Sequence, residues 1–355
     1  MEKAYLVLAT GQVFEGEAFG AIGETVGELV FTTNVVGYVE SLTDPCYSGQ
    51  IVTFTFPQMG NYGTITPDMV SDGCHLNGIV VRDHCPTPSN FRCEGTLDAF
   101  LKEAGVVGIC GVDTRELTQI IRDFGVVSAK ITNVRPETVP EELATFQIGG
   151  TVEALSTKTV YTVPAEAEKK YSVALIDYGA KKQIIGDLTT RGCEVTVYPY
   201  NTSAADILAT NPSGILLSNG PGNPADYAAC SETIAQLMGK LPIFGISMGH
   251  QLMAIAAGAS TSKLKFGHRG ANQPVRELKS GKVFITSQNH GYIVDGETLP
   301  EFAQLSYVNA NDGTCEGIVY PQHKAFSLQF HPETCTGPRN VELAFDHFIA
   351  MMEEK

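Results

Sequence analysis

A serine between two glycines is the residue of this chain best placed to act as a nucleophile. Residues 245–249 read Gly-Ile-Ser-Met-Gly; they follow the apolar run 243–246 and precede a stretch of helical character, 251–257. In such a strand–turn–helix context the small flanking residues permit a tight turn that lifts the central side chain to the edge of a sheet. The turn also points the first helical N–H groups at that side chain. The motif predicts a nucleophile elbow with Ser247 at its tip, or else an ordinary glycine-rich turn.

A histidine and a glutamate near the C terminus are suited to act as a base and its orienting carboxylate. They occur as His331-Pro332-Glu333, and proline disfavours a helical conformation for the residue before it, so we expect His331 to be extended. In an extended segment positions i and i+2 face the same side. His331 is therefore a candidate general base and Glu333 its orienter. A surface pair is the plain alternative.

Two further polar segments follow predicted strands. Residues 217–224 read Leu-Ser-Asn-Gly-Pro-Gly-Asn-Pro, and the two prolines remove backbone donors that a dinucleotide-binding loop would use. We predict instead a tight loop whose N–H groups face a substrate oxygen, or a simple strand-exit turn. Residues 288–292, Gln-Asn-His-Gly-Tyr, are placed at a strand end after the apolar residues 283–285. His290 within them is predicted to be structural.

Composition excludes several classes of function. The chain has 355 residues, 24 basic and 39 acidic, for a formal net charge of -15, and no cluster of Lys and Arg offers the basic footprint that nucleic acids require. The N terminus does not read as a signal peptide, and no apolar run is long enough to span a membrane. The nine cysteines are scattered without a CxxC pair, which predicts reduced thiols in a cytoplasmic protein.

Metal and nucleotide motifs are missing from the sequence. The eight histidines show no H-x-x-x-H spacing, so no metal site is predicted. The pattern G-x-x-x-x-G-K-[ST] does not occur, so an ATP site of that type is absent.

The elements that must position these residues divide the chain into two parts. In residues 1–150, short alternating runs predict β-hairpins and strands mixed with helices, one of them capped by Asp113 with Glu116 at capping-box spacing. Residues 151–170 are predicted to be a linker. From residue 171 to 355, β-α-β alternation predicts a mostly parallel sheet flanked by helices, an α/β fold whose chemistry lies at the carboxyl ends of the strands.

Taken together, the motifs at 218–222, 244–251 and 331–333 resemble those of the glutamine amidotransferases. Five further segments are similar to the small subunit of carbamoyl-phosphate synthetase, and they extend the resemblance over essentially the whole chain. They are residues 27–31, 37–48, 111–115, 265–275 and 288–292.

The resemblance implies a specific activity. Such a subunit hydrolyses L-glutamine to glutamate and ammonia, which a large partner subunit uses with ATP, Mg and bicarbonate to make carbamoyl phosphate for arginine and pyrimidine biosynthesis. No cofactor is implied for this chain itself.

By position, the resemblance places Ser247 at the nucleophile, His331 at the base and Glu333 at its orienter. The N–H groups of Met248 and of the Gly220 loop would form the oxyanion hole. The implied glutamine contacts are Cys46, Gly220, Gly222, Met248, Gln251, Asn289, Gly291 and Tyr292.

Three positions depart from the family pattern. Cys46 stands where serine is common and Tyr292 where phenylalanine is common, and both changes are mild. Ser247 stands where the family has its nucleophilic cysteine, which puts the glutaminase step in question.

Two alternatives remain open at this stage. A serine esterase of the α/β-hydrolase type also carries G-x-S-x-G, but its partners follow in the order Ser, Asp or Glu, then His. A subunit without glutaminase activity, which binds glutamine or only its partner and leaves the complex dependent on ammonia, is the alternative that Ser247 favours.

Overall fold

The computed structural model describes residues 2–333 and 343–353. The chain divides into two compact units, Met1–Gly149 (unit 1) and Gly150–Lys355 (unit 2). The segment predicted to be a linker, residues 151–170, belongs to unit 2 and contains a helix, Thr151–Leu155, and a strand, Tyr161–Val163. The sequence showed no periodicity there because the helix is shorter than two turns and the strand has fewer than four residues. In the described part of the chain no helix is both long and apolar enough to cross a bilayer.

Unit 1 is a closed barrel of seven strands with helices beside it. The barrel order is β1-β2-β8-β6-β4-β3-β9, and β9 closes it by pairing with β1. The strands of unit 1 are β1 (Lys3–Leu8), β2 (Val13–Gly20), β3 (Thr25–Thr32), β4 (Gln50–Phe54), β5 (Gln58–Met59), β6 (Gly78–Val80), β7 (Asp83–His84), β8 (Val107–Cys110) and β9 (Val127–Thr132). Its helices are α1 (Tyr38–Leu42), α2 (Leu97–Glu103), α3 (Thr114–Phe124) and α4 (Glu142–Thr145).

Local signals in unit 1 behave as expected. The predicted hairpin is present as β1 and β2, with Leu6 opposite Phe14. The Asp113 carboxylate accepts hydrogen bonds from the N–H groups of Arg115 and Glu116, both at 3.0 Å, and so caps α3. The barrel closure itself was not predicted, because it depends on pairing between strands that are far apart in sequence.

Unit 2 is built on one ten-stranded sheet with the order β10-β12-β11-β13-β14-β19-β18-β17-β15-β16. Its strands are β10 (Tyr161–Val163), β11 (Tyr171–Asp177), β12 (Cys193–Pro199), β13 (Gly214–Leu217), β14 (Ile243–Ile246), β15 (Thr261–Glu277), β16 (Val283–Val294), β17 (Gln304–Asn309), β18 (Cys315–Tyr320) and β19 (Ala325–Leu328). Its helices are α5 (Thr151–Leu155), α6 (Lys182–Thr189), α7 (Ala204–Ala209), α8 (Ala228–Leu237), α9 (Met248–Ala256) and α10 (Leu343–Glu353).

The predicted α/β class is confirmed, and the parallel part of the sheet is its centre. Strands β12, β11, β13, β14 and β19 pair in parallel, whereas the remaining pairings are antiparallel. Along β11 successive residues enter two different cores: Leu175 packs with α6 and α10, and Ile176 packs with α7, α8 and α9. The continuous apolar run in this strand is therefore buried on both faces.

Candidate active site

Five parallel strands end at one edge of the sheet in unit 2, and the predicted catalytic residues follow two of them. Ser247 comes directly after β14, and His331 comes three residues after β19. Because β14 and β19 are parallel neighbours, these two residues emerge at the same edge. The Ser247 N–H donates to the Leu328 carbonyl at 2.8 Å, which ties the two strand ends together.

Ser247 occupies a strained backbone conformation. It has φ 52° and ψ −102°, a positive φ that few residues other than glycine adopt. The Ser247 carbonyl accepts from Gln251 N–H at 3.1 Å, so the helix α9 begins at once. Such strain at a buried turn between strand and helix is the signature of a nucleophile elbow, as the sequence predicted.

Two glycines allow the elbow to pack this tightly. A Cβ at Gly249 would lie 2.4 Å from the Leu217 carbonyl oxygen, and one at Gly245 would lie 2.6 Å from the Met253 sulfur. Both distances are far inside van der Waals contact. The glycines at positions 245 and 249 are therefore required by packing of α9 across the sheet edge.

The predicted pairing of His331 with Glu333 is present. His331 Nδ1 lies 2.8 Å from Glu333 Oε1, and both side chains are buried. The extended backbone expected before Pro332 is fixed by a bridge to Ser287, whose carbonyl accepts from His331 N–H at 3.0 Å. Because an ionised carboxylate only accepts, Nδ1 carries the hydrogen and Nε2 keeps its lone pair. Nε2 is buried, and no described residue hydrogen-bonds to it.

A lysine that the sequence reading did not select completes this group. The Lys181 Nζ lies 3.6 Å from Glu333 Oε1 and 3.3 Å from His331 Nδ1, and the lysine is itself buried. Burial alone would raise the pKa of Glu333, but the nearby His331 and Lys181 outweigh it and hold that pKa below its usual value. We call Lys181, His331 and Glu333 the His331 cluster.

Position in the fold was the only available signal for Lys181. It lies four residues after β11 ends, at the same carboxyl edge as the other site residues. Its own N–H donates to Asn219 Oδ1 at 3.1 Å, which connects it to the loop after β13.

That loop, residues 218–222, is tight, as predicted. The Ser218 hydroxyl accepts from Tyr178 N–H at 2.9 Å, and a Cβ at Gly220 would lie only 2.5 Å from the Tyr178 carbonyl oxygen. Gly222 has φ 94°. The loop is thus packed closely against residues 178–181, and the Ser218 carbonyl accepts from Gly249 N–H at 3.0 Å in the elbow.

The segment 288–292 was predicted at a strand end but lies inside β16. The strand continues to Val294 and pairs with β15, with Asn289 opposite Arg269. Its polar side chains are buried, and those of Gln288 and His290 have hydrogen-bond partners within the sheet. His290 is held within the sheet, because its Nδ1 lies 2.9 Å from the Tyr292 carbonyl oxygen.

The remaining predicted glutamine contacts lie on α9 and β16 of unit 2, except for Cys46, which lies in unit 1. Gln251 on α9 donates through Nε2 to the Tyr292 carbonyl at 2.7 Å and to Gln329 Oε1 at 3.0 Å. Met248 is the buried first residue of α9. Cys46 belongs to unit 1, where it is buried in the short 3-10 helix Pro45–Tyr47 and its N–H donates to Asp44. Gly291 lies next to Tyr292 in β16.

Another buried histidine follows the elbow on α9. His250 Nδ1 lies 2.8 Å from the Ser327 hydroxyl, and burial lowers the pKa of His250 to about 3. This histidine is therefore neutral at physiological pH.

The strained elbow and the buried histidine–carboxylate pair follow neighbouring parallel strands, as expected for a class-I glutamine amidotransferase. Residues 174–351 match the family model described as glutamine amidotransferase class-I. Residues 6–131 match a second model, the CPSase domain of the carbamoyl-phosphate synthase small chain.

Full-length relatives narrow the assignment. The carbamoyl phosphate synthase small chain of Clostridium perfringens is 47% identical over 98% of this chain and 99% of its own length. That of Streptococcus pneumoniae is 48% identical over 99% of this chain and 98% of its own, and that of Bacillus caldolyticus is 45% identical over 99% and 97%. The chain belongs to the carbamoyl phosphate synthase small chain family, a glutamine amidotransferase subunit of a ligase.

Proposed function

We propose that this chain binds L-glutamine at the Ser247 elbow and supplies carbamoyl-phosphate synthase with ammonia only slowly, because its nucleophile is a serine. The observation that carries the proposal is the His331 cluster: a histidine with a free, buried Nε2, a carboxylate on its Nδ1 and a compensating lysine. The base, its orienting carboxylate and the elbow are retained around position 247, and Ser247 is the one departure from the family pattern that affects the chemistry itself.

The proposed chemistry runs through the chain's own residues. The Ser247 Oγ attacks the side-chain amide carbon of glutamine while its proton passes to His331 Nε2. The N–H groups of Met248 and the Gly220 loop would donate hydrogen bonds to the developing oxyanion. His331 then gives the proton to the departing ammonia, and a water molecule, deprotonated by the same nitrogen, hydrolyses the acyl-serine to glutamate.

Serine slows the first step for a physical reason. A cysteine thiol has a pKa of about 8.5, which a helix N-terminus lowers into the working range. A serine hydroxyl ionises far less readily, so it depends wholly on His331 accepting the proton during attack. The site's spacing in this family is also set for sulfur, with its longer bond to carbon.

Glutamine would be held by the residues that the family resemblance indicates. Gln251 fits a positioning role, since its Nε2 already donates twice within the protein and leaves its Oε1 to accept. The proposed contacts within unit 2 are Gly220, Gly222, Met248, Gln251, Asn289, Gly291 and Tyr292.

The proposed complex is completed by a large subunit in the cytoplasm. That subunit would bind ATP and Mg and accept the ammonia, while the glutamine chemistry proposed for this chain uses no cofactor. The competing proposal is a subunit without any glutaminase activity that stabilises the large chain, and Ser247 is the observation that favours it. The esterase alternative loses its support, because the family matches span both halves of the chain.

Reconstitution with the cognate large subunit tests the proposal. We expect the two chains to elute together in gel filtration, and carbamoyl phosphate to form readily with supplied ammonia but slowly with glutamine. Glutamine that supports synthesis as fast as ammonia would show that Ser247 does not impair the chain. Separate elution of the two subunits would contradict the partnership.

A further inference from the structure

A second buried histidine–carboxylate group lies in unit 2, in the antiparallel part of the sheet. We call His268 on β15, His290 on β16 and Glu316 on β18 the His268 cluster. The side chains are almost wholly enclosed, with 7%, 7% and 0% of their residue surfaces exposed. One ligand-type atom from each residue lies within 4.8 Å of the other two.

The lone pair of His268 faces into the cluster. Its Nε2 lies 2.8 Å from Asp312 Oδ2, and since a carboxylate only accepts, Nε2 carries the hydrogen. Nδ1 is therefore the lone-pair nitrogen in the neutral ring. It faces Glu316 Oε1 at 3.5 Å, and no described residue forms a hydrogen bond with it.

The lone pair of His290 is fixed in the same way. Its Nδ1 lies 2.9 Å from the Tyr292 carbonyl oxygen, an acceptor, so Nδ1 carries the hydrogen and Nε2 does not. Nε2 lies 3.0 Å from Gln288 Oε1, a second acceptor. Two acceptors at this distance repel unless a cation or a proton lies with them.

The orientation of Gln288 is set by its other end. Its Nε2 donates to Glu316 Oε2 at 2.9 Å and to the Thr286 hydroxyl at 3.2 Å. Flipping the amide would place its carbonyl oxygen against the Glu316 carboxylate instead. The fully buried Glu316 thus accepts a hydrogen bond from the Gln288 amide at Oε2, and its Oε1 faces His268 Nδ1.

We propose that His268 Nδ1, His290 Nε2 and Glu316 Oε1 bind one divalent transition-metal ion of the zinc class, with Gln288 Oε1 as an available fourth ligand. Two imidazoles and one carboxylate are a ligand set that zinc accepts. Bonds of about 2.0–2.1 Å in a tetrahedron place ligand atoms about 3.4 Å apart, close to the observed 3.5 Å between His268 Nδ1 and Glu316 Oε1.

The surrounding hydrogen bonds match those of metal centres. Each histidine donates its other N–H to an oxygen, His268 to the Asp312 carboxylate and His290 to a backbone carbonyl. Such outer partners orient histidine ligands and fix their tautomers. The cluster was invisible in the sequence, because its residues come from three strands with no metal-motif spacing. The burial of the ligands indicates a closed, structural site.

The site would brace the strand that carries the proposed glutamine contacts. The Tyr292 carbonyl that fixes His290 also accepts from Gln251 Nε2 at 2.7 Å. This consequence rests on the proposed function, whereas metal binding itself does not.

Metal analysis of the full chain tests the proposal without reference to activity. Protein stripped with a chelator is equilibrated with Zn²⁺, freed of excess by gel filtration and analysed by mass spectrometry for metals. We expect about one zinc per chain and a rise of several degrees in the unfolding temperature. Both should be lost in Glu316→Gln and His290→Gln and kept in the control His323→Gln.

Two results would overturn the inference. One is no zinc above that of the buffer, which would leave the cluster as a protonated His268 between Asp312 and Glu316. The other is zinc retained by folded Glu316→Gln protein, with circular dichroism confirming the fold, which would place the ion on the free thiols elsewhere.

Discussion

The two buried histidine–carboxylate groups of unit 2 use the same residue types for different ends. In the His331 cluster, the Glu333 carboxylate accepts from His331 Nδ1 at 2.8 Å. His331 Nε2 has no hydrogen-bond partner among the described residues, and Ser247 lies at the same edge of the sheet. In the His268 cluster, Asp312 accepts from Nε2 of His268 and the Tyr292 carbonyl accepts from Nδ1 of His290. One ligand-type atom of each histidine lies within 4.8 Å of the other and of Glu316. The first arrangement can move a proton, and the second can hold a cation. The difference depends on which ring nitrogen of each histidine donates to an acceptor, because the other nitrogen then carries the lone pair.

The largest expected effect is a difference in glutamine turnover between variants of His331 and of His290. In a Ser247→Cys background, His331→Asn should lower glutamine turnover on the order of 10³-fold, because the only base is removed. His290→Gln in the same background should leave turnover within about tenfold and lower the unfolding temperature instead. Ammonia release measures the turnover of both variants, and thermal unfolding measures their stability. Equal losses of turnover would erase the distinction between the clusters.

The elbow that serves the His331 cluster depends on close packing, which a single methyl group can break. Gly249→Ala should lower the free energy of unfolding by about 3 kcal/mol, because its Cβ would meet the Leu217 carbonyl at 2.4 Å. Gly186→Ala on α6 is the matched control, since nothing lies within 4 Å of its Cβ. That control should gain about 0.5–1 kcal/mol in urea denaturation. Destabilisation of the two variants by the same amount would contradict the packing argument.

Lys181 is the cation that distinguishes the His331 cluster. Lys181→Met should lower the free energy of unfolding at pH 7 by about 2 kcal/mol, because Glu333 stays buried with one counter-charge fewer. The exposed neighbour Lys182 provides the control, and Lys182→Met should change stability by less than about 0.5 kcal/mol. Chemical denaturation of the two variants at pH 7 measures both free energies of unfolding. A Lys181→Met protein as stable as the control would show that the lysine does not compensate Glu333.

A fourth buried histidine, His250, belongs to neither cluster and extends the comparison to the dependence of stability on pH. Burial holds the folded-state pKa of His250 at about 3, below its unfolded value of 6.5. The unfolded chain therefore binds a proton that the folded chain does not, and this contribution to stability, complete above pH 6.5, falls as the pH drops toward 3. His250→Gln should flatten the loss of stability between pH 6.5 and 4.5 by about 1 kcal/mol per pH unit. His323→Gln should keep the full slope, and an unchanged slope in His250→Gln would refute the assignment.

The features predicted correctly from the sequence depend on residues that are close together in the chain. The His331–Glu333 pair follows from two residues of extended backbone, and the elbow follows from the glycines flanking Ser247. Lys181 and the His268 cluster were missed because strand pairing brings their parts together, and pairing register is not written locally. The closed barrel of unit 1 was missed for the same reason. Residues 288–292 were placed at a strand end because they are polar and follow an apolar run, although the Gln288 side chain bonds to Glu316 within the sheet.

The central claim is that Ser247 limits an otherwise intact glutaminase site. The direct measurement is the rate of ammonia release from glutamine by this chain and by Ser247→Cys, each saturated with the large subunit. We predict a gain of on the order of 100-fold or more for the cysteine variant, because a thiolate is available where the hydroxyl must be deprotonated during attack. Equal turnover by the two proteins would contradict the claim and show that serine serves this site as well as cysteine.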